Sequence, residues 1–379
     1  MSCLVKLRLS HFRNYSNLLW EPCSDLLVLT GENGSGKTNL LEAVSLLTPG
    51  RGLRSAPLGQ LGQFESHEWA VFARIKKAGE YLEIGTGIQL QRETESHRRV
   101  LLYNGKRFRS SQSGSDFCDK MVSAVWVTPQ MDRLFSGGAA ERRRFLDRLV
   151  LAIFPQHMTE LSAYDKAMTQ RNKLLQTRFS ESAWISGVEH AMARHAVAIA
   201  AARNETVDRL NKHTQHTTDY FSATRLDMHC PIGAFLSYEP ALVVEDWLRE
   251  KLLDLRMHDR QKGRASLGVH RSDCVLTNLH TGQSASMAST GQQKALLVGL
   301  VLTYTHIVTK YHGIPPLLLL DEPLVHLDEI HRVALLKSLQ AFKSTVILTG
   351  TDQLPFLPLK GKAQFMTVHH GHLLPSNDE

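Results

Sequence analysis

The chain has 379 residues, 42% hydrophobic and 21% charged, with a formal charge of +7 and a pI near 9.1. That composition excludes a disordered chain and leaves a globular protein of one large domain or two ordinary ones. The positive balance favours an acidic partner such as nucleic acid, although proteins at ribosomes or membrane surfaces share it.

The N-terminus alternates, Leu4, Lys6, Arg8 and Ser10 against Val5, Leu7 and Leu9, which predicts a half-buried strand. Residues 26–30, "LLVLT", read as a short apolar strand, and 39–47, "NLLEAVSLL", as a helix. Further strands are predicted at 69–75, 81–90 and 98–103, the last ending in the hairpin signal Asn104-Gly105.

The character changes after about residue 136, and 139–214 is predicted to be largely helical, with a break at Phe154-Pro155. Leu161, Tyr164, Met168 and Leu175 recur at helical spacing, Arg171 takes the remaining seam position, and an Ala-rich helix at 183–212 is the natural partner. Strand character returns at 264–278 and is clear at 317–320, "LLLL", and 345–349, "TVILT", as in a parallel sheet buried on both faces. The expected organisation is a discontinuous α/β domain, 1–135 with 264–379, enclosing a mainly helical insertion, 136–263.

The five cysteines, Cys3, Cys23, Cys118, Cys230 and Cys274, form no close pair, which argues against a disulfide framework or a zinc site. Lys6, Arg8 and Arg13 interrupt the first residues, a poor signal peptide, and the apolar runs near 295–302 and 314–320 are too short to cross a bilayer. A cytoplasmic protein without a membrane partner is expected.

Gly31-x-x-x-x-Gly36-Lys37-Thr38 fits the phosphate-loop pattern, with a strand running in and a helix leaving. Gly31, Glu32, Asn33, Gly34, Ser35, Gly36, Lys37 and Thr38, with Asn39 in the first helical turn, are the expected nucleotide contacts. Lys37 is suited to the β- and γ-phosphates of ATP and the Thr38 hydroxyl to Mg²⁺. "LLLLDEP" at 317–323 supplies a buried strand ending in two carboxylates: Asp321 for Mg²⁺, and Glu322 to polarise the attacking water. A third stretch, Ser289-Thr290-Gly291-Gln292-Gln293-Lys294, precedes an apolar helix. Alone it reads as a Ser/Thr helix cap; beside the other two motifs it reads as a second anion site at a positive helix end.

The order of these motifs, followed by Leu327-Asp328, resembles ABC-type ATPases. Together with "LRLSHFRNY" (7–15), "TPQMDRLFSGGAAERRRFLD" (128–147), "QRNKLL" (170–175), "GVHRSD" (268–273) and "LTGTD" (348–352), it resembles the SMC-related RecF family of bacterial recombinational repair. The resemblance runs from residue 4 to about 352. It implies an α/β fold, an ABC/SMC-type P-loop ATPase head with a mostly helical inserted second domain.

The resemblance also implies roles. Arg13 and Asn14 fall where such heads contact nucleotide, Gln130 near the loop that senses Mg²⁺ and γ-phosphate, and Asp328 in a loop crossing a dimer interface. Thr351 stands where transporter ATPases have a switch histidine. Two heads face one another in this family, so Ser289, Gly291 and Gln292 would serve the ATP held by the partner. The implied activity is a weak, DNA-stimulated ATPase switch. The implied partners are DNA at single-strand gaps, a second copy of the chain, and RecO, RecR and RecA. Two departures stand out: Thr128-Pro129-Gln130 where the family usually has Thr-Pro-Glu, and Glu322-Pro323, which is closer to general ABC proteins.

Lys106, Arg107 and Arg109, and the run Arg142-Arg143-Arg144, are either solvated charge faces or a track for DNA phosphates. Arg271 is assigned to structure or the nucleotide site without separating the two. His369, His370 and His372 lack neighbouring ligands for a metal. Two rival readings are a transporter-type ATPase subunit, which should follow membranes, and an SMC-like structural linker, which should show long heptads.

Overall fold

Continuous apolar runs become central strands in the computed structural model, which describes residues 1–48, 50–63, 66, 68–91, 96–107, 122–214 and 220–376. In chain order come β1 (Ser2–Phe12), β2 (Tyr15–Trp20), β3 (Leu26–Thr30), α1 (Lys37–Ser45), β4 (Ala70–Lys77), β5 (Glu80–Gln91), β6 (Ser96–Tyr103), β7 (Lys106–Arg107) and β8 (Ala124–Val127). Then follow α2 (Ala139–Ile153), α3 (His157–Thr177), α4 (Ser182–His213), β9 (Thr224–His229), α5 (Pro231–Phe235), α6 (Ala241–Asp254), α7 (Arg256–Lys262) and β10 (Asp273–Asn278). The last elements are α8 (Thr290–His312), β11 (Leu317–Leu320), α9 (Glu329–Gln340), β12 (Val346–Thr349), β13 (Gln364–His369) and β14 (His372–Pro375).

The chain divides into two compact units, Met1–Asp132 with Thr218–Ser222 and Ser289–Glu379, and Arg133–Thr217 with Ala223–Ala288. Among the described residues the first holds two six-stranded sheets. One, ordered β14-β13-β3-β12-β11-β8, is parallel through its middle, and β3, β11 and β12 are buried at every position, as a sheet covered on both faces requires. The other, β2-β1-β4-β5-β6-β7, is antiparallel and alternates, with Leu7, Leu9, Val71, Ala73, Ile75 and Ile84 turned inward. Helix α1 packs against β4 of one sheet and β12 of the other. Arg99 of β6 donates to the Leu46 and Gly50 carbonyls beyond the end of α1, a cation at a negative helix terminus. Asn104 and Gly105 both have positive φ, 44° and 74°, as a tight hairpin turn demands.

The second unit is helical, with one small β9–β10 ribbon. The seam of α3 is occupied as its spacing predicts, with Tyr164 and Leu175 buried. Arg171, fully buried, donates to Glu189 at 2.9 Å, Asp259 at 2.6 Å and the Leu252 carbonyl at 2.8 Å, so its charge is compensated from three sides.

Residues 264–288 pack differently from the expected boundary at 263/264. β10 pairs with β9, Arg142 forks onto Asp273 at 2.8 and 2.9 Å, and Tyr164 hydrogen-bonds His270 at 2.7 Å, all inside the second unit. The strand predicted at 264–278 forms only from Asp273. Before it the chain makes a short turn at Val269–Arg271, preceded by Gly268 at φ 144°, where a Cβ would lie 2.1 Å from the Tyr164 hydroxyl and only glycine fits.

Candidate nucleotide site

The loop Gly31–Thr38 joins β3 to α1 inside the first unit. Its shape depends on glycine: a Cβ on Gly31 would approach the Val368 carbonyl to 2.3 Å, and one on Gly36 would approach Asn14 Nδ2 to 2.4 Å. Glu32, Asn33 and Gly34 form the exposed lip, and Ser35 is buried. Asn14 braces the loop from behind, donating to the Ser35 carbonyl at 2.8 Å and accepting from Asn39 Nδ2 at 2.8 Å, while the Tyr15 hydroxyl donates to the Gly36 carbonyl at 3.0 Å. The Ser35 hydroxyl is buried without a hydrogen-bond partner.

Lys37 Nζ donates to the Gly31 and Glu32 carbonyls at 2.6 and 2.8 Å. Burial pulls its pKa below the ordinary lysine value, and the Glu322 and Asp321 carboxylates pull the other way. The Thr38 hydroxyl meets both oxygens of Asp321 at 3.0 and 2.9 Å, joining residues 283 positions apart. Asp321, at the end of β11, also accepts from the Thr349 hydroxyl at 2.7 Å, and the same hydroxyl accepts from the Glu322 N–H at 2.9 Å. Glu322 has φ 48°, a left-handed conformation held by these bonds. A hydroxyl and a carboxylate side by side form an all-oxygen donor pair, which fits Mg²⁺.

The second helix start is α8. Ser289 is its N-cap in a capping box: its hydroxyl accepts from the Gln292 N–H at 3.4 Å, and its own N–H donates to Gln292 Oε1 at 3.0 Å. Ser289 and Gln292 are exposed, whereas a Cβ on Gly291 would lie 2.7 Å from the His326 carbonyl. Asp328 caps α9 and accepts from the His331 N–H at 2.9 Å and from its ring at 2.7 Å; these bonds, the backbone one foremost, hold the carboxyl below its ordinary pKa. Gln130 and Thr351 are exposed, on the turn after β8 and just after β12.

Arg13 and Asn14 part company. Asn14 touches the phosphate loop, but the Arg13 guanidinium forks onto buried Glu42 of α1 at 2.9 and 3.0 Å and donates to the Gln60 carbonyl at 2.8 Å. Of the basic residues, Lys106, Arg107 and Arg144 are exposed. Arg142 is engaged with Asp273 and the Gly137 carbonyl, and Arg143 with the Ser272 carbonyl, so both brace the second unit. Arg109 and Cys118 lie outside the described residues. Arg271 is exposed in the second unit, and His369 and His370 stack edge to face at the β13–β14 turn. Sequence reasoning missed Tyr15, Asp132, Lys294 and Thr349. Lys294 carried a signal, a cation inside an apolar helix.

The sequence profile of the RecF/RecN/SMC N-terminal domain matches residues 3–354. The DNA replication and repair protein RecF of Mesorhizobium japonicum is 43% identical over 99% of this chain and 98% of its own length. That of Allorhizobium ampelinum is 39% identical over 97% of both. Among solved structures, the recombination mediator protein RecF with ATP, of the RecFOR pathway, superposes with a TM-score of 0.83 at 22% identity, covering 99% of this chain and 98% of that one. The Smc head domain of Pyrococcus furiosus does so at 0.51 and 13% identity, covering 99% and 96%. These likenesses fix the fold as an ABC/SMC-type ATPase head. Among the described residues no helix is long and apolar enough to cross a membrane.

Proposed function

The chain belongs to the RecF family of DNA replication and repair proteins, and on that premise we propose that it is an ATP-gated DNA-binding protein with a slow ATPase. ATP lies along Gly31–Thr38, its phosphates on the N–H groups at the start of α1, and Lys37 exchanges its loop carbonyls for β- and γ-phosphate oxygens. Thr38 and Asp321 would hold Mg²⁺, with Gln130 assigned to the same ion by the family resemblance, and the ion would neutralise the phosphate charge. Glu322 orients and polarises the water that attacks the γ-phosphorus.

Ser289, Gly291 and Gln292 face the γ-phosphate of ATP held by a second copy, and Asp328 lies at the same interface. ATP therefore shifts the chain toward a homodimer that closes on DNA at single-strand gaps, and hydrolysis reopens it. RecO and RecR act with it to place RecA. The contact that supports this reading most directly is the one between Thr38 and Asp321, because it unites the phosphate loop and the acidic strand end in one site. Lys106, Arg107 and Arg144 remain the candidates for DNA phosphates.

The test is binding to gapped, single-stranded and duplex DNA, with and without ATP, over a range of salt. The proposal expects ATP to strengthen binding, most of all on gapped DNA, with a steep salt dependence. Binding that ignores both ATP and salt would overturn it.

A further inference from the structure

Lys294 is fully buried on α8, little more than one turn past Ser289, in a helix whose buried side chains are mostly apolar. A buried ammonium persists only where it is paired and hydrogen-bonded. Its Nζ donates to Asp132 Oδ2 at 3.2 Å and to the backbone carbonyl of Glu322 at 3.0 Å. Asp132 belongs to the turn that carries Gln130, and its Oδ2 also meets His326 Nδ1 at 3.3 Å, while its Oδ1 is buried without a partner. The first turn of α8 touches the same loop a second time, Gly291 against the His326 carbonyl.

Glu322 is therefore gripped at both ends of its residue. Thr349 takes its N–H and Lys294 its carbonyl, in a left-handed conformation that L residues avoid. Held so, the peptide fixes the direction in which the carboxylate leaves the backbone. A small movement of α8 would travel along a rigid helical turn to Lys294 and re-aim that carboxylate.

We infer that Lys294 is a positioning residue that couples the Ser289 helix start to Glu322 of the same chain. The coupling rests on the reading in which Ser289 meets the partner's ATP: nucleotide docked in trans at α8 then tunes the hydrolytic glutamate in cis, so that the two sites of a dimer report on each other. The bland alternative is that Lys294 only neutralises Asp132, and a double variant separates the two.

The test uses the full chain as wild type, Lys294→Met, and the double variant Asp132→Asn/Lys294→Met. ATPase rate, ATP affinity, ATP-dependent sedimentation and thermal stability are measured for each. Lys294→Met is expected to lower kcat about 10- to 100-fold, with ATP affinity and dimer formation within about threefold of wild type. The double variant is expected to regain thermal stability without regaining kcat. If it regains both, Lys294 is only a charge partner and the inference falls. It falls equally if kcat is unchanged in Lys294→Met, or declines only as dimer is lost. Should Lys294→Met not fold, the double variant decides: folded with low kcat supports the inference, folded with normal kcat overturns it. A wild-type chain that hydrolyses ATP without dimerising overturns the trans-serine reading alone.

Discussion

The two helix starts that the proposal assigns to phosphates are built on opposite plans. The start of α1 has Gly36 as N-cap, with no side chain satisfying its free N–H groups, and is surrounded by Lys37, Thr38 and Asp321 of the same chain. The start of α8 is satisfied by its own Ser289–Gln292 box, is exposed, and has the cation Lys294 turned inward to Glu322 and Asp132. An uncapped, furnished helix start binds an anion outright; a self-capped one must first give up its cap, so its affinity is conditional. The difference teaches that similar sequence patterns can encode one helix start left open and one closed by its own cap; on the proposed function these are a complete site and a half site.

Variants can break or sharpen this contrast. The largest effect is expected from Glu322→Gln, which should cut kcat by about 10²- to 10⁴-fold while ATP still drives dimerisation; single-turnover hydrolysis and sedimentation read the two. Next, Lys37→Ala should weaken ATP binding about 100-fold, as loss of its charge-assisted contacts implies, and should abolish dimers with it; fluorescent-nucleotide titration checks this. Ser289→Arg should leave ATP affinity within about twofold and remove the ATP-dependent dimer. Unchanged dimers in that variant would place the half site elsewhere.

A smaller shift is expected from Gln292→Ala. It removes one bond of the capping box, worth about 0.5–1.5 kcal/mol, and so should change the dimer midpoint by no more than about tenfold. Least of all is Asp273→Asn, a control in the other unit. Its hydrogen bond to Arg142 is the main reason the Asp273 carboxyl titrates below its ordinary range. The stability it lends is present above the unfolded pKa and is lost as pH falls through the folded one. Denaturation followed from pH 7 down through the acid limb below about pH 4 should therefore show a shallower fall in Asp273→Asn, by less than about 1 kcal/mol for this part-buried pair.

Much of this was legible because apolar runs and glycines act locally. "LLLL" and "VILT" became buried strands, Asn104-Gly105 its hairpin turn, and Gly31 and Gly36 the loop that admits no Cβ. What was illegible depends on partners distant in sequence. Nothing near Arg142 announces that Asp273 will claim it, and nothing near Arg13 that Glu42 will turn its guanidinium toward α1. The stretch 264–272 has strand-like residues, yet it makes a short turn at Val269–Arg271, where His270 meets Tyr164 from a distant helix. Lys294 was visible as an oddity, but its role needed the carbonyl of Glu322 beside it.

The strand order of the parallel sheet has a consequence for biosynthesis. β3, which leads into the phosphate loop, lies between β12 and β13, and the N–H of Leu4 bonds the hydroxyl of Thr345, 341 positions later. At ribosomal rates of about 5–20 residues per second, the phosphate loop waits roughly 20 to 70 s for the strands that pin it. Contacts of such range also make folding slow once the chain is complete. The phosphate loop thus gains its final support only after β12 and β13 have been made, so a nascent chain that stops short of them lacks the sheet that pins the loop.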